Sequence, residues 1–409
     1  MSSTPSRLPA CRSAFLLLCL LCLPARAADR PAPRVFIMDA ALLARSKARL
    51  GQDDPTAKAA LRPLLDRADK ALTAGSFSVT AKKMLPPSGD RHDYMSIGPY
   101  WWPDPAKSDG KPYVRRDGEV NPERHTVGDA DSLKQMQQAV RALALAWHFT
   151  GRDDYARRAA LLLRTWFLDE ATRMNPHLSY AQAVPGRCEG RGIGIVDTAG
   201  MIHVVDAIGL LGGSPHWTPA DQAGMERWFE RFLAWLTDSK MGKEESRTAN
   251  NHATQYDAQV AAYALLTGKT DLARQVLQAV PRRRIDTQIQ PDGRQPHELA
   301  RTKSWGYSTA NLGNFFHLAR LGEHVGVDLW TYRSADGRSI RAALDYLLPY
   351  ARGRQPWPHK EIGTFAPERL LPMLRQSARK YPGAGYDQAV EEIAKKTPDD
   401  LSVLLTPGP

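Results

Sequence analysis

Cysteine is scarce in this chain and badly placed for cross-linking. Three of its four residues, Cys11, Cys19 and Cys22, lie at the extreme N-terminus, leaving only Cys188 for the body of the protein. An internal disulfide in that body is therefore excluded, and stability must come from a packed core, which a chain of this length can build. The eleven histidines are scattered, no H-E-x-x-H spacing occurs, and the C-x-x-C of Cys19 and Cys22 falls in the N-terminal apolar run, so nothing calls for a metal. No glycine-rich phosphate loop follows a strand pattern either, and no nucleotide or redox cofactor is expected. Acidic residues are also in deficit, 44 against 55 lysines and arginines, a net charge of +11. Such a surface attracts polyanions or simply keeps the protein soluble.

What the N-terminus does have is a short apolar run. Arg7 and Arg12 precede Ala14 to Leu23, and Ala25-Arg26-Ala27 follows, the pattern of a secretory signal with an A-x-A cleavage site. Residues 1–27 are read as a signal peptide and 28–409 as one mature domain, with a charge of about +8. No later stretch is free of charge over the roughly 20 residues that a membrane span needs. The expected product is exported, periplasmic or secreted, with no membrane anchor. Nucleic acid is not an expected partner there; an anionic polysaccharide is.

Apolar residues recur at three-to-four spacing, as in Leu133, Met136, Val140, Leu143 and Trp147, and in Trp228, Phe232, Trp235 and Leu236. These patterns predict amphipathic helices, opened by Asp54-Pro55 and Thr218-Pro219 and closed by Gly151, Gly212-Gly213 and Gly268. Thr150-Gly151-x-x-Asp154-x-Ala156-Arg157 returns as Thr267-Gly268-x-x-Asp271-x-Ala273-Arg274, a repeated helical hairpin. Stacked hairpins make a solenoid or a closed ring, and the irregular spacing of the other helices disfavours a short-period solenoid. The expected fold is all-α, an α/α toroid whose connections surround a cleft. The C-terminal part, 338–396, reads as further helices, and Thr406 to Pro409 as a frayed end.

Three connections are rich in polar and aromatic residues. In Asp93 to Pro105, Tyr100-Trp101-Trp102 is hemmed in by prolines, which suits a rigid loop for stacking on sugar rings or a plug under a loop. Asn250-Asn251-His252 follows the charged, loop-like Lys243 to Arg247 and precedes an apolar helix. It sits where unpaired amides favour an anion, and Asn250 equally suits a simple cap. His297-Glu298 leads to Arg301 and Tyr307, just before the helical run Leu312 to Leu321; an Arg301–Glu298 ion pair and a buried tyrosine would explain that segment as well.

Together the last two segments supply what elimination across a uronate requires. The C5 proton is barely acidic until the neighbouring carboxylate is neutralised, and the leaving oxygen at C4 needs a proton. Asn251 and Arg301 can hold the carboxylate. Tyr307, made more acidic by Arg301, can act as base and then acid; His252 can join the neutralising group or be the base.

At these segments the chain resembles the alginate lyase superfamily of polysaccharide lyases, over roughly residues 60–330. The matching stretches are Tyr94 to Pro105, Asn175-Pro176-His177-Leu178-Ser179-Tyr180-Ala181-Gln182-Ala183, Cys188-Glu189-Gly190-Arg191-Gly192-Ile193-Gly194, Asn250-Asn251-His252-Ala253-Thr254, and Arg301-Thr302-Lys303-Ser304-Trp305-x-Tyr307. The Gly98-Pro99-Tyr100-Trp101-Trp102-Pro103-Asp104-Pro105 signature is closer to glucuronan- and alginate-active members than to dedicated mannuronate lyases. The resemblance implies an α/α toroid, cleavage of alginate or a related uronan, and catalytic roles for Asn251, His252, Arg301 and Tyr307. Tyr100, Trp101, Trp102, Arg191, Asn250, His297 and Glu298 are candidate substrate-binding residues, Arg191 at a flexible turn where it can also pair with Glu189. The rival readings are an α/α-barrel glycoside hydrolase using a pair among Asp104, Asp257 and Glu298, and a non-catalytic polysaccharide-binding protein. A monomer or small homo-oligomer is expected.

Overall fold

The computed structural model describes residues 1, 2, 4, 32–395, 397 and 400–408; the N-terminal signal and its cleavage site lie outside the described residues. Helices dominate from residue 40 onward. An inner row consists of Asp129–Thr150, Met201–Leu211, Asn251–Leu266 and Ser304–Glu323, each packed on the next and buried along most of its length. Outer helices Pro55–Thr73 and Asp153–Leu163 cover the first of these. Pro219–Asp238 and Thr270–Val280 cover the third, and Ile340–Ala351 covers the fourth. The row is brought back toward itself where His203 and His317, from its second and fourth helices, meet edge to face with ring centroids 5.5 Å apart. This is the expected all-α fold, built from packed helical hairpins.

The local chemistry explains the hairpins. Gly151 and Gly268 end their helices in the left-handed conformation, φ 73° and 72°, which glycine alone adopts freely. Asp54 accepts from the Ala57 amide, and Thr218 and Asp221 form a capping box behind Pro219. Gly192–Leu211 is apolar enough to cross a membrane by length and composition, but it contains Asp197 and Asp206 and is largely buried within the fold.

The fold departs from the sequence reading in three places. Part of the charged Lys243 to Arg247 segment belongs to a short helix, Lys240–Glu245. The last inner helix begins at Ser304, so Tyr307 stands on its first turns and not in the preceding loop. The C-terminal end is packed, not frayed, as far as Pro407: Thr406 is 6% exposed and its amide donates to the Ser402 carbonyl at 2.8 Å, and Pro409 lies outside the described residues.

Four short strands hold the loops over one end of the inner helices. Met95–Ile97 (β1) pairs in parallel with Tyr180–Ala183 (β4), and Trp101–Trp102 (β2) pairs antiparallel with Val114–Arg115 (β3). The aromatic segment is therefore a small ladder. It is anchored from behind by Lys82, fully buried, whose ammonium donates to the carbonyls of Arg91 (2.7 Å) and Asp93 (2.6 Å) and lies 3.0 Å from Asp129. Asp129 in turn accepts from the Met95 amide. The Asn175-Pro176-His177 motif serves the same purpose, since Asn175 and His177 both bind the Asp93 carboxylate, at 2.7 and 2.9 Å.

Candidate active site

A cleft of about 780 Å³ opens among these loops. Asn250, Asn251 and His252 form one wall, Arg301 and Tyr307 another, and Tyr100, Trp101, Arg115, Gln182 and Arg191 the third, with His297 at its edge. Sequence segments some fifty residues apart are thus brought together by the packing of the two last inner helices.

The first wall is set by a helix start. Asn250 caps the Asn251–Leu266 helix, its side chain accepting from the His252 amide. This leaves Asn251 and His252 on the first turn, next to the positive end of the helix. Glu298, 1% exposed, grips Asn251 twice, accepting from its backbone amide at 2.7 Å and its side-chain amide at 2.6 Å. Burial pushes the Glu298 carboxyl up, and the two Asn251 hydrogen bonds pull it back. Glu298 therefore supports the wall from behind and does not line the cleft as a substrate contact. His252 Nδ1 lies 2.6 Å from a Glu245 carboxylate that is itself buried. That bond assigns the proton to Nδ1 and leaves Nε2 for the cleft.

The second wall is a charge relay centred on Arg301. Its guanidinium donates to Asp117 through Nε (3.1 Å) and Nη2 (2.7 Å), and Nη2 also donates to the Tyr307 hydroxyl at 2.9 Å. Tyr307 and Tyr100 share a hydroxyl–hydroxyl bond of 2.7 Å. Burial alone would raise the Asp117 carboxyl, but hydrogen bonds from Arg301 and Thr302 outweigh it and hold the group at about 2. The balance at Tyr307 falls the other way. Burial raises the phenol, Tyr100 adds to the rise, and Arg301 only partly opposes them. Tyr307 is not made more acidic in the free protein, contrary to the sequence expectation, because burial and the Tyr100 hydroxyl outweigh Arg301, and the Asp117 charge adds slightly to the rise.

The third wall explains the glycine-rich motif. A Cβ at Gly190 would collide with the Ser179 carbonyl oxygen, so the segment is pressed against β4 and is no flexible turn. Arg191 does not pair with Glu189. It donates to Gln182 twice, through Nε to the carbonyl and Nη2 to the side-chain oxygen, both at 3.0 Å. Gln182 adopts φ 49°, a left-handed conformation that costs a non-glycine residue roughly 1 kcal/mol. It is fixed there by Ser96 and by Asp197, each at 2.8 Å. Trp101 lies beneath the guanidinium groups of Arg187 and Arg191. Trp102 turns out of the cleft, its indole donating to the Glu119 carbonyl and its ring under Arg116, so the substrate-contact expectation fails for it.

Sequence reasoning missed Asp117, Glu245, Gln182 and Arg115. Asp117 and Arg115 lie in an unremarkable charged stretch with no spacing signal, and Glu245 looked like one charge among several in a solvated loop. The proposed hydrolytic pair does not form. Asp257 is locked in a buried ion pair with Arg284 at 2.8 Å, Asp104 accepts from the Ala106 amide in its own loop, and Glu298 holds Asn251.

The profile of a family described as alginate lyase matches residues 78–357. A crystal structure of an alginate lyase from Bacteroides ovatus is 41% identical, covering 91% of this chain and 99% of that one, with a TM-score of 0.88. Alginate lyase A1-III from Sphingomonas species A1 is 16% identical over 91% of this chain and 95% of its own, with a TM-score of 0.58. An A1-III variant complexed with a tetrasaccharide superposes equally well, covering 94% and 99% at 16% identity. Among proteins of curated function, none matches.

Proposed function

The chain belongs to the alginate lyase family and is a polysaccharide lyase, and from that premise we propose that it cleaves alginate, as poly-mannuronate, or glucuronan by β-elimination. The supporting observation is that Asn251, His252, Arg301 and Tyr307 line one basic, aromatic-walled cleft. In the reaction the C5–H and C4–O bonds break, a C4–C5 double bond forms, and the departing oxygen takes a proton.

Each group has a part. Arg301, whose Nη1 is not engaged by Asp117, and the Asn251 amide hold the uronate carboxylate and stabilise the dianionic intermediate. Tyr307, protonated at rest and oriented by Arg301 and Tyr100, protonates the leaving oxygen. Two groups suit removal of the C5 proton. Tyr307 accepts a hydrogen bond from Arg301, the cation that favours its anion; His252 offers Nε2, its tautomer set by Glu245. Tyr100, Trp101, Arg191, Asn250 and His297 surround the neighbouring sugar residues, and no cofactor enters the scheme. The N-terminal sequence supports export to the periplasm or beyond, where a monomer or small homo-oligomer would meet such a polymer.

The test is ultraviolet absorbance from the new double bond during incubation with alginate blocks, glucuronan, hyaluronan and heparinoids. Tyr307→Phe should abolish the signal, with a fall of about 10²–10⁴ in kcat. Release of reducing ends without absorbance would overturn the lyase scheme. If Tyr307 is the only proton carrier, His252→Ala keeps part of the rate. If His252 is the base, that variant is as inactive as Tyr307→Phe.

A further inference from the structure

A second cavity, of about 500 Å³, lies at the other end of the inner helices. His317 is ten residues beyond Tyr307 on the same helix, roughly 15 Å along its axis, and the two cavities share no lining residue. Its wall holds Arg141, His203, His317 and Gln376, with Arg67 and Arg379 exposed at the mouth. Arg141 Nε, His203 Nδ1, His317 Nδ1 and Gln376 Oε1 are all buried without a hydrogen-bond partner among the described residues. Four such atoms on one cavity wall are unusual, because each carries a desolvation cost that protein or ligand contacts normally offset.

The charges are equally unbalanced. The carboxylate nearest in influence to Arg141 is Asp206, but its oxygens already accept from the amides of Phe36, Ile37 and Met38. Asp39 is taken by Arg320 and Asp400 by Arg375; the remaining acid on the wall, Glu368, is exposed. Arg67 faces Arg141 closely enough that the two cations disfavour one another. Burial, reinforced by Arg141, keeps both histidines below their ordinary range, His317 at about 4, so they are neutral at pH 7 and each presents one donor and one acceptor.

We propose that this cavity is a second, non-catalytic binding site for a small hydroxylated carboxylate, a free uronic acid or a short oligouronate. The Arg141 fork takes the carboxylate, the imidazoles bind hydroxyls, and Gln376 Oε1 accepts from a hydroxyl that an inorganic anion does not have. The volume fits one or two sugar rings.

The experiment is calorimetric titration of the whole protein with glucuronate, with glucose and sulfate as comparison probes. Arg301→Ala removes binding in the catalytic cleft, and in that background one site per chain should persist. Adding Arg141→Gln should weaken it at least about tenfold, while Arg141→Gln alone leaves polymer turnover unchanged. Should that variant not fold, the histidine ring NMR signals of the Arg301→Ala protein decide the matter, since saturating shifts of His203 and His317 with glucuronate are required. No residual site, unmoved histidine signals, or sulfate binding as tightly as glucuronate would overturn the proposal.

Discussion

Replacing Lys82 by methionine should destabilise the protein in a strongly pH-dependent way. The ammonium is fully buried and spends its donors on two carbonyls and on Asp129, which is 1% exposed. Methionine of similar length leaves the carbonyls of Arg91 and Asp93 without that donor and strands the carboxylate. Breaking one side of a buried ion pair costs about 3–5 kcal/mol. The carbonyls alone account for about 1–3 kcal/mol of this at any pH. The rest depends on the charge of Asp129. Burial raises its carboxyl to about 6, with Lys82 and the Met95 amide opposing. A carboxyl raised in the folded state favours folding most below its unfolded value near 4, and that advantage is lost as pH rises through about 6. Without Lys82 the folded value climbs further, so neutralisation relieves more of the damage. Urea unfolding should therefore show a loss of about 4 kcal/mol at pH 8 and about 2 kcal/mol at pH 5. Asp129→Asn introduced together with Lys82→Met should recover part of the loss at pH 8. Equal losses at the two pH values, or a double variant as unstable as the sum of the singles, would refute the reasoning.

Further consequences follow from the cleft. Asp117→Asn removes the charge that offsets Arg301, so the Tyr307 phenol should ionise more readily and the alkaline limb of the pH–rate profile should move to lower pH; an unmoved limb would mean that Asp117 does not govern Tyr307. Glu298→Gln sets a donor against the Asn251 amide, and kcat/KM should fall by about 10–10², one charged hydrogen bond's worth, with the fold retained by circular dichroism. Trp101→Ala should raise KM about 2–10-fold with kcat little changed, as expected for a stacking surface, and Trp102→Ala should leave KM alone because that ring faces away.

The all-helical character, the paired hairpins and the catalytic segments were legible in the sequence because each depends on local order. Gly151 and Gly268 end helices wherever they occur in such a pattern, and Asn250 before an apolar run is a cap in any context. The quartet Asn251, His252, Arg301 and Tyr307 was legible through chemistry and resemblance, as residue types that elimination next to a carboxylate needs.

Tertiary structure alone decided what those residues are worth. Burial, with the Tyr100 hydroxyl beside it, reverses the expected direction of the Tyr307 shift, and Asp117, which reaches Arg301 from 184 positions away, adds to it. Glu298, which looked like a ligand contact, lies behind Asn251, while Trp102 turns outward from a triplet whose members are alike on paper. Arg141, His203 and His317 carry no motif at all and meet only through the packing of the inner helices. Helix starts and stops follow from bonds within a few residues, which a sequence displays. Ionisation and orientation follow from burial and from partners brought in by packing, which it does not.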